Sequence, residues 1–226
     1  MRWPLSKILN LGQCRNTMIM FGLRTMARER PAERGSSVLL SSLHHLLEHQ
    51  AGRFPNAPAI LAPGRTALSY ARLYHHIDQM GCVLRAMGIG RRDRVAVVLP
   101  NGPEMAVAVL SVAASAACAP MNPAYSAEEL GRYFADLQPH ALIIEAGTDS
   151  PARRVALSRG IPVVELSTAL DAEAGLFTLT GGQGYAPSYE PVSPGHVALL
   201  LLTSGTVSRP KIVPLTHANI CASAYN

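Results

Sequence analysis

The residues best suited to chemistry stand near the end of the sequence, in the stretch Thr203-Ser-Gly-Thr-Val-Ser-Arg-Pro-Lys211. Four hydroxyl side chains supply hydrogen-bond donors: Thr203, Ser204, Thr206 and Ser208. Gly205 permits positive φ and lets backbone N–H groups approach an anion closely, and Lys211 adds a compact positive charge. A loop of this composition, directly after an apolar run, suits a polyphosphate.

The same residues admit a plainer interpretation. Serine and threonine hydroxyls in turns often bond their own backbone, so a short stretch of this kind does not by itself require a ligand. The Walker A loop of nucleotide-triphosphate proteins does not fit. Pro210 stands where a glycine must present its N–H, and Ile212 stands where a hydroxyl must reach magnesium.

The elements that would position this loop alternate between helix and strand patterns. A first helix, capped by Ser36 or Ser37, has an apolar face formed by Leu39, Leu40, Leu43, Leu46 and Leu47. A second carries Leu73, Ile77, Met80, Leu84 and Met87 and ends at Gly88. Further helices are expected to begin at Ser126 and Pro151, and four apolar runs predict buried strands: residues 94–99, 141–144, 162–166 and 197–202. Alternation of this kind predicts an α/β fold with a largely parallel sheet layered with helices.

Two stretches required a choice between interpretations. Residues 105–127 carry no charge and are long enough to suggest a membrane span, but Pro120 and Pro123 interrupt their end. A buried helix explains this composition better, so no membrane span is expected. Residues 175–195 are rich in glycine and proline and predict a surface connection.

No metal site is expected from the sequence. His45 and His49 have the i, i+4 spacing of a helical metal site, but both lie off the leucine face and no third ligand is evident. The four cysteines show no metal-ligand spacing and no disulfide framework, and they predict reduced, mostly buried side chains: Cys14, Cys82, Cys118 and Cys221.

The positive charge is confined to the beginning of the chain. Residues 1–35 contain seven basic and two acidic residues and so carry the whole net charge of +5. The remainder is neutral, which argues against a nucleic-acid-binding face on the folded part. The basic extension is interpreted either as a disordered segment, which leaves the protein cytoplasmic, or as a presequence for the mitochondrial matrix.

The stretch resembles the phosphate loop of the AMP-dependent synthetase and ligase family, the adenylate-forming enzymes that include acyl-CoA synthetases. That family shows Thr-Ser-Gly-Thr-Thr-Gly-x-Pro-Lys-Gly, often followed by Val-x-x-Thr-His. The positions that agree are Thr203, Ser204, Gly205, Thr206, Pro210, Lys211, Thr216 and His217. Segments upstream are similar to further family segments in the same order: residues 68–73, 88–96 and 119–123.

The resemblance implies that a carboxylate attacks the α-phosphorus of ATP, with Mg²⁺ present, to give an acyl-adenylate and pyrophosphate. A thiol of coenzyme A or of a carrier's pantetheine then takes the acyl group. It also implies that Thr203, Ser204, Thr206 and Lys211 hold the β- and γ-phosphates, with Gly205 and Ser208 in the same loop. Val207 and Ser208 depart from the family's Thr-Gly, and serine at the second position is similar to the oxalate–CoA-ligase-like branch.

Residues 36–226 are therefore expected to form an incomplete AMP-binding N-terminal domain that ends just after the phosphate loop. No Asp or Glu follows Glu190, so nothing beyond the loop in this sequence can hold a metal or a ribose through a carboxylate. We expect a truncated ligase that is inactive as this chain alone and has no catalytic residue of its own. The alternatives are a split enzyme completed by a second, C-terminal chain, and a non-enzymatic module for nucleotide binding or protein interaction.

Overall fold

The structure, a computed structural model, describes residues 42–181, 192–203 and 211–224. In these ranges the helices are α1 (Leu43–Arg53), α2 (Tyr70–Ala86), α3 (Pro103–Ala113), α4 (Ala127–Leu137), α5 (Pro151–Ser158) and α6 (His217–Ala224). The strands are β1 (Pro58–Ile60), β2 (Leu68–Ser69), β3 (Arg94–Val98), β4 (Ala117–Met121), β5 (Ala141–Glu145), β6 (Val163–Thr168), β7 (Phe177–Gly181), β8 (Val197–Thr203) and β9 (Lys211–Thr216).

Seven of the described strands form one sheet in the order β7-β6-β5-β3-β4-β8-β9. The five inner strands are mutually parallel, and β7 and β9 close the two edges as antiparallel partners of β6 and β8. The strands β1 and β2 form a separate small hairpin. The predicted α/β fold with a mostly parallel, helix-layered sheet is confirmed.

The sheet has an apolar layer on each face, because successive side chains of a strand point to opposite sides. Val95 and Val97 of β3 lie in the cluster that contains the buried faces of α1, α2, α3 and α6. Ala96 and Val98, between and after them, lie in the second cluster with α4 and α5. The helices that follow β3 and β4 therefore cover opposite faces.

Side-chain caps at the helix starts follow the serines of the sequence, with one revision. Ser126 forms a capping box with Glu129, and Ser150 caps α5, so both predicted starts are confirmed. Helix α1 begins at Leu43 and is capped by Ser42, whose backbone is extended, so it begins later than predicted. The predicted caps Ser36 and Ser37 lie outside the described residues.

The prediction of a single buried helix across residues 105–127 is wrong. The helical part ends at Ala113, and Ala117–Met121 is β4, which pairs with β3 over five positions. A strand buried on both faces shows the same unbroken apolar run as a buried helix, which is why the pattern misled. No helix in the described ranges is long and apolar enough to cross a membrane.

The stretch predicted as a surface connection also contains a strand. Phe177–Gly181 forms β7 along the edge of β6, and Phe177 is buried. Residues 182–191 lie outside the described ranges. Gly175, just before β7, has φ +92°, and a Cβ there would come within 2.6 Å of the Val107 side chain on α3. Glycine at this position lets the chain cross close over α3 before it enters the edge strand.

Candidate functional site

The described residues of the stretch predicted to bind polyphosphate are the last residue of β8 and the first residue of β9, at the loop end of the β8–β9 hairpin. Thr203, the last residue of β8, is the register partner of Lys211, the first residue of β9. The Thr203 hydroxyl donates a hydrogen bond to the Lys211 carbonyl over 3.3 Å. Both residues are exposed. The structure thus brings together the two ends of the predicted site, whereas Ser204, Gly205, Thr206 and Ser208 lie outside the described residues.

Burial along β8 explains why the strand delivers its last residue to solvent. Ala198, Leu199 and Leu200 are buried, the two leucines that follow are half-buried, and Thr203 is exposed. The first two leucines of the four-leucine run are therefore in the buried part of the strand. Their apolar contacts fix where the strand emerges from the sheet.

The loop end of the hairpin lies at the carboxyl edge of the parallel strands. Because β8 is parallel to β4, Thr203 lies at the edge where Val98 ends β3 and Met121 ends β4. The chain leaves β3 for α3 on one face and leaves β4 for α4 on the other. In open α/β sheets, ligands bind outside the carboxyl ends of strands near such a reversal of connection. The edge is thus where a ligand of this fold class is expected.

The charge around the hairpin favours an anion. Lys211 forms no ion pair within the described part of the chain. No acidic residue occurs in the sequence after Glu190, so no carboxylate on either strand can neutralise it. The lysine ammonium and the threonine hydroxyl are groups that bind phosphate oxygens.

The base of the hairpin, where the chain enters β8 and leaves β9, is held by Thr216 and His217 of the family-like motif. Thr216 and Asn219 cap α6 reciprocally, with the Asn219 N–H donating to Thr216 Oγ1 over 3.2 Å and the Thr216 N–H donating to Asn219 Oδ1 over 3.0 Å. His217 is buried, and its Nδ1 accepts the Leu43 N–H over 3.2 Å. Burial, and secondarily the neighbouring His196, lowers the pKa of His217 to about 4, so its imidazole is neutral at pH 7.

A second set of polar residues at the carboxyl edge was not found from the sequence. Glu104, in the first turn of α3, accepts hydrogen bonds from Arg65 over 3.1 Å and from the Gly175 N–H over 3.3 Å. Arg65 also donates to the Ala169 carbonyl over 3.0 Å. This ion pair ties the β1–β2 turn to α3 and to the loop after β6. Its members are far apart in sequence and belong to no motif, so no local signal could have revealed them.

Metal-ligating side chains are not grouped in the described residues, where no cluster of three His, Cys, Asp or Glu side chains could hold an ion. His45 and His49 are exposed on α1, as predicted from their position off the leucine face. Of the described cysteines, Cys82 is exposed, while Cys118 and Cys221 are buried and all three are free. Burial raises the pKa of the Cys118 thiol, which therefore stays protonated within β4.

Comparison with known proteins shows the family to which this chain belongs. The AMP-binding enzyme family matches residues 47–226, and the chain belongs to that family. A probable CoA ligase of Humulus lupulus is 36% identical over 191 residues, covering 82% of this chain and 36% of the relative. The oxalate–CoA ligase of Arabidopsis thaliana is 36% identical over 190 residues, covering 82% of this chain and 37% of the relative. The chain thus spans little more than a third of the length of these relatives.

A solved structure of the same class agrees with the fold. The apo structure of MbtA from Mycobacterium smegmatis superposes with a TM-score of 0.64 at 26% identity, covering 88% of this chain and 39% of that one. The resemblance recognised in the sequence, to the adenylate-forming synthetases and ligases, is therefore confirmed.

Proposed function

We propose that this chain forms the phosphate-binding part of an adenylate-forming acid–thiol ligase and that it binds ATP through the β8–β9 connection. The proposed site consists of Thr203, Ser204, Gly205, Thr206, Ser208 and Lys211. The observation that carries the proposal is the register of Thr203 with Lys211 at the carboxyl edge of the sheet. Membership of the AMP-binding family supports it independently.

In the proposed reaction, a carboxylate oxygen attacks the α-phosphorus of ATP. The new P–O bond forms as the bond to the pyrophosphate oxygen breaks, which gives an acyl-adenylate and pyrophosphate. A thiol then attacks the acyl carbon, and AMP leaves. The contribution of this chain is to hold the β- and γ-phosphates and to balance the charge that develops on the leaving pyrophosphate.

Lys211 is the cation proposed for the pyrophosphate oxygens. Thr203 is proposed as a donor beside it, its hydroxyl turning from the Lys211 carbonyl to a phosphate oxygen when ATP binds. Magnesium would supply further charge neutralisation on the triphosphate. The described residues contain no cluster of three His, Cys, Asp or Glu side chains that could hold the ion.

The acid and the thiol acceptor follow from the relatives only as a class. The similar proteins include CoA ligases, so we propose a carboxylic acid as substrate and coenzyme A, or the pantetheine of a carrier, as acceptor. The cytoplasm is the proposed compartment. The mitochondrial matrix is the alternative, which a fluorescent fusion of residues 1–35 would distinguish by its location.

A binding measurement tests the proposed site directly. Lys211→Ala should weaken ATP binding by roughly tenfold or more, because a hydrogen bond to a charged group contributes about 1.5–3 kcal/mol. Isothermal titration of the purified chain with ATP and magnesium gives the dissociation constant. Arg159→Ala is the matched control, since it also removes one exposed positive charge but lies at the C-terminal end of α5, at the opposite edge of the sheet. Equal effects of the two substitutions would refute the site.

Catalysis by this polypeptide alone is a separate question. We propose that the 226-residue polypeptide binds ATP without catalysing adenylation, because it spans little more than a third of the length of the CoA-ligase relatives. Carboxylate-dependent ATP–pyrophosphate exchange by the purified polypeptide would overturn this. Exchange that appears only when a second, C-terminal chain is added would identify a split enzyme. ATP binding without exchange under either condition is expected both of an incomplete ligase and of a non-enzymatic module, and a chain that aggregates on expression would count against the module.

A further inference from the structure

The hairpin that carries the proposed phosphate-binding residues has its outer strand, β9, at the edge of the sheet. Within the described sheet, β9 pairs with β8 alone, and three of its six residues are exposed. Val213 is among the exposed large apolar side chains. Ile212 and Leu215 are half-buried against the two core clusters, and six register pairs join β9 to β8. Because β9 has a partner strand on one side only within the described sheet, the fixing of its ends matters more than it does for an inner strand.

The base of the hairpin, where the chain enters β8 and leaves β9, is fixed by His217 and its surroundings. The His217 N–H donates to the His196 carbonyl over 3.0 Å, and the Ala218 N–H donates to the Pro194 carbonyl over 2.9 Å. These bonds join the exit of β9 to the entrance of β8. His217 is 1% exposed, so the ring itself is enclosed by the protein.

The His217 imidazole connects the base of the hairpin to the start of α1. The Leu43 N–H is one of the first-turn groups of α1 that have no partner within the helix. The N-cap hydroxyl of Ser42 accepts the His45 N–H, and His217 Nδ1 accepts the Leu43 N–H over 3.2 Å. Since Nδ1 is an acceptor, the neutral ring carries its proton on Nε2. One ring thus serves as a cap for a helix that lies 174 residues away in sequence.

We propose that His217 is a positioning residue for the phosphate-binding hairpin. By accepting the Leu43 N–H, it anchors the base of the β8–β9 hairpin against α1. The six register pairs of the hairpin carry that constraint to Thr203 and Lys211 at its loop end. The inference that a bound phosphate feels this constraint rests on the proposed function. The anchoring itself does not, and it can be measured without nucleotide.

Native-state hydrogen exchange separates anchoring from a general loss of stability. His217→Phe removes the acceptor and should speed exchange of the β8–β9 amides by about tenfold, because a hairpin without its anchor opens locally. His217→Asn keeps an acceptor near the position of Nδ1 and should stay close to the unmodified chain. Ser42→Ala is the matched control, since it loosens the same end of α1 without touching the hairpin.

Equal acceleration by Ser42→Ala and His217→Phe would overturn the proposal, as would an Asn variant that behaves like the Phe variant. Should His217→Phe not fold, His217→Gln takes its place, because its amide reaches the Nε2 position and leaves Leu43 without an acceptor. The same acceleration is expected from it.

Nucleotide binding then tests the link to the site. His217→Phe should raise the dissociation constant for ATP by about fivefold, because the phosphate-binding groups are misplaced. His217→Asn should keep the dissociation constant within about twofold of that of the unmodified chain. If the unmodified chain does not bind ATP, the proposed function fails while the exchange data still decide the anchoring. If ATP binds but His217→Phe and Ser42→Ala weaken it equally, the positioning role fails and the proposed function stands.

Discussion

The stability of this fold should fall in mild acid, and His76 accounts for part of the loss. This residue lies on α2, is 7% exposed, and packs edge-on against Phe177 of β7 with the ring centroids 4.8 Å apart. Its Nε2 is buried without a hydrogen-bond partner. Burial, followed by Arg72 and His75, lowers the pKa of His76 from 6.5 to about 4.

The sign follows from proton binding. Below pH 6.5 the unfolded chain binds a proton at His76 that the folded chain refuses until about pH 4. The contribution to stability is therefore complete above pH 6.5 and is lost as the pH falls toward 4. Within that window the free energy of unfolding falls by about 1.4 kcal/mol per pH unit for this one group. Between pH 7 and pH 5 the loss amounts to about 2 kcal/mol.

His76→Phe isolates this contribution, because it keeps an aromatic ring against Phe177 and removes the titrating group. Urea unfolding at pH 7, 6 and 5 should show that the substitution raises stability at pH 5 by about 2 kcal/mol relative to its effect at pH 7. His49→Phe, on the exposed side of α1, is the matched control for replacing a histidine by phenylalanine. A His76→Phe chain that loses stability with pH as steeply as the unmodified one would refute the reasoning.

Two further substitutions test the packing at the carboxyl edge. Gly175→Ala should destabilise the fold by about 2–4 kcal/mol in urea unfolding. The reason is that φ is +92° and the new Cβ would lie 2.6 Å from Val107 Cγ2 and 3.0 Å from the Pro103 carbonyl oxygen. Gly52→Ala, with open space around the new Cβ, is the control and should be neutral or slightly stabilising. Glu104→Ala should lower the free energy of unfolding by about 2–3 kcal/mol, since it leaves the mostly buried Arg65 guanidinium without its carboxylate. Glu128→Ala, which breaks the exposed pair with Arg132, should cost less than about 0.5 kcal/mol, and equal losses from the two glutamate substitutions would contradict this account.

The elements that could be predicted are those whose signal is local. Ser126 followed by Glu129 specifies a capping box within one turn, and α4 begins there as predicted. The three- and four-residue spacing from Leu73 to Leu84 specifies α2, and Gly88, with φ +82°, ends it. These features depend on neighbours along the chain, so the sequence carries them in full.

The sequence alone also determined the chemistry of the candidate site: a hydroxyl-rich, glycine-containing segment that ends in Lys211, with no carboxylate after it. Only the tertiary structure decided what surrounds that segment. It turned the end of a supposed helix into β4, the neighbour of β8, since a strand buried on both faces and a buried helix present the same apolar run. It placed His76 beneath β7 while His75 stayed outside that core, and it joined His217 to Leu43 across 174 residues. The residues in these contacts share no local sequence pattern, so the contacts exist only in the folded chain.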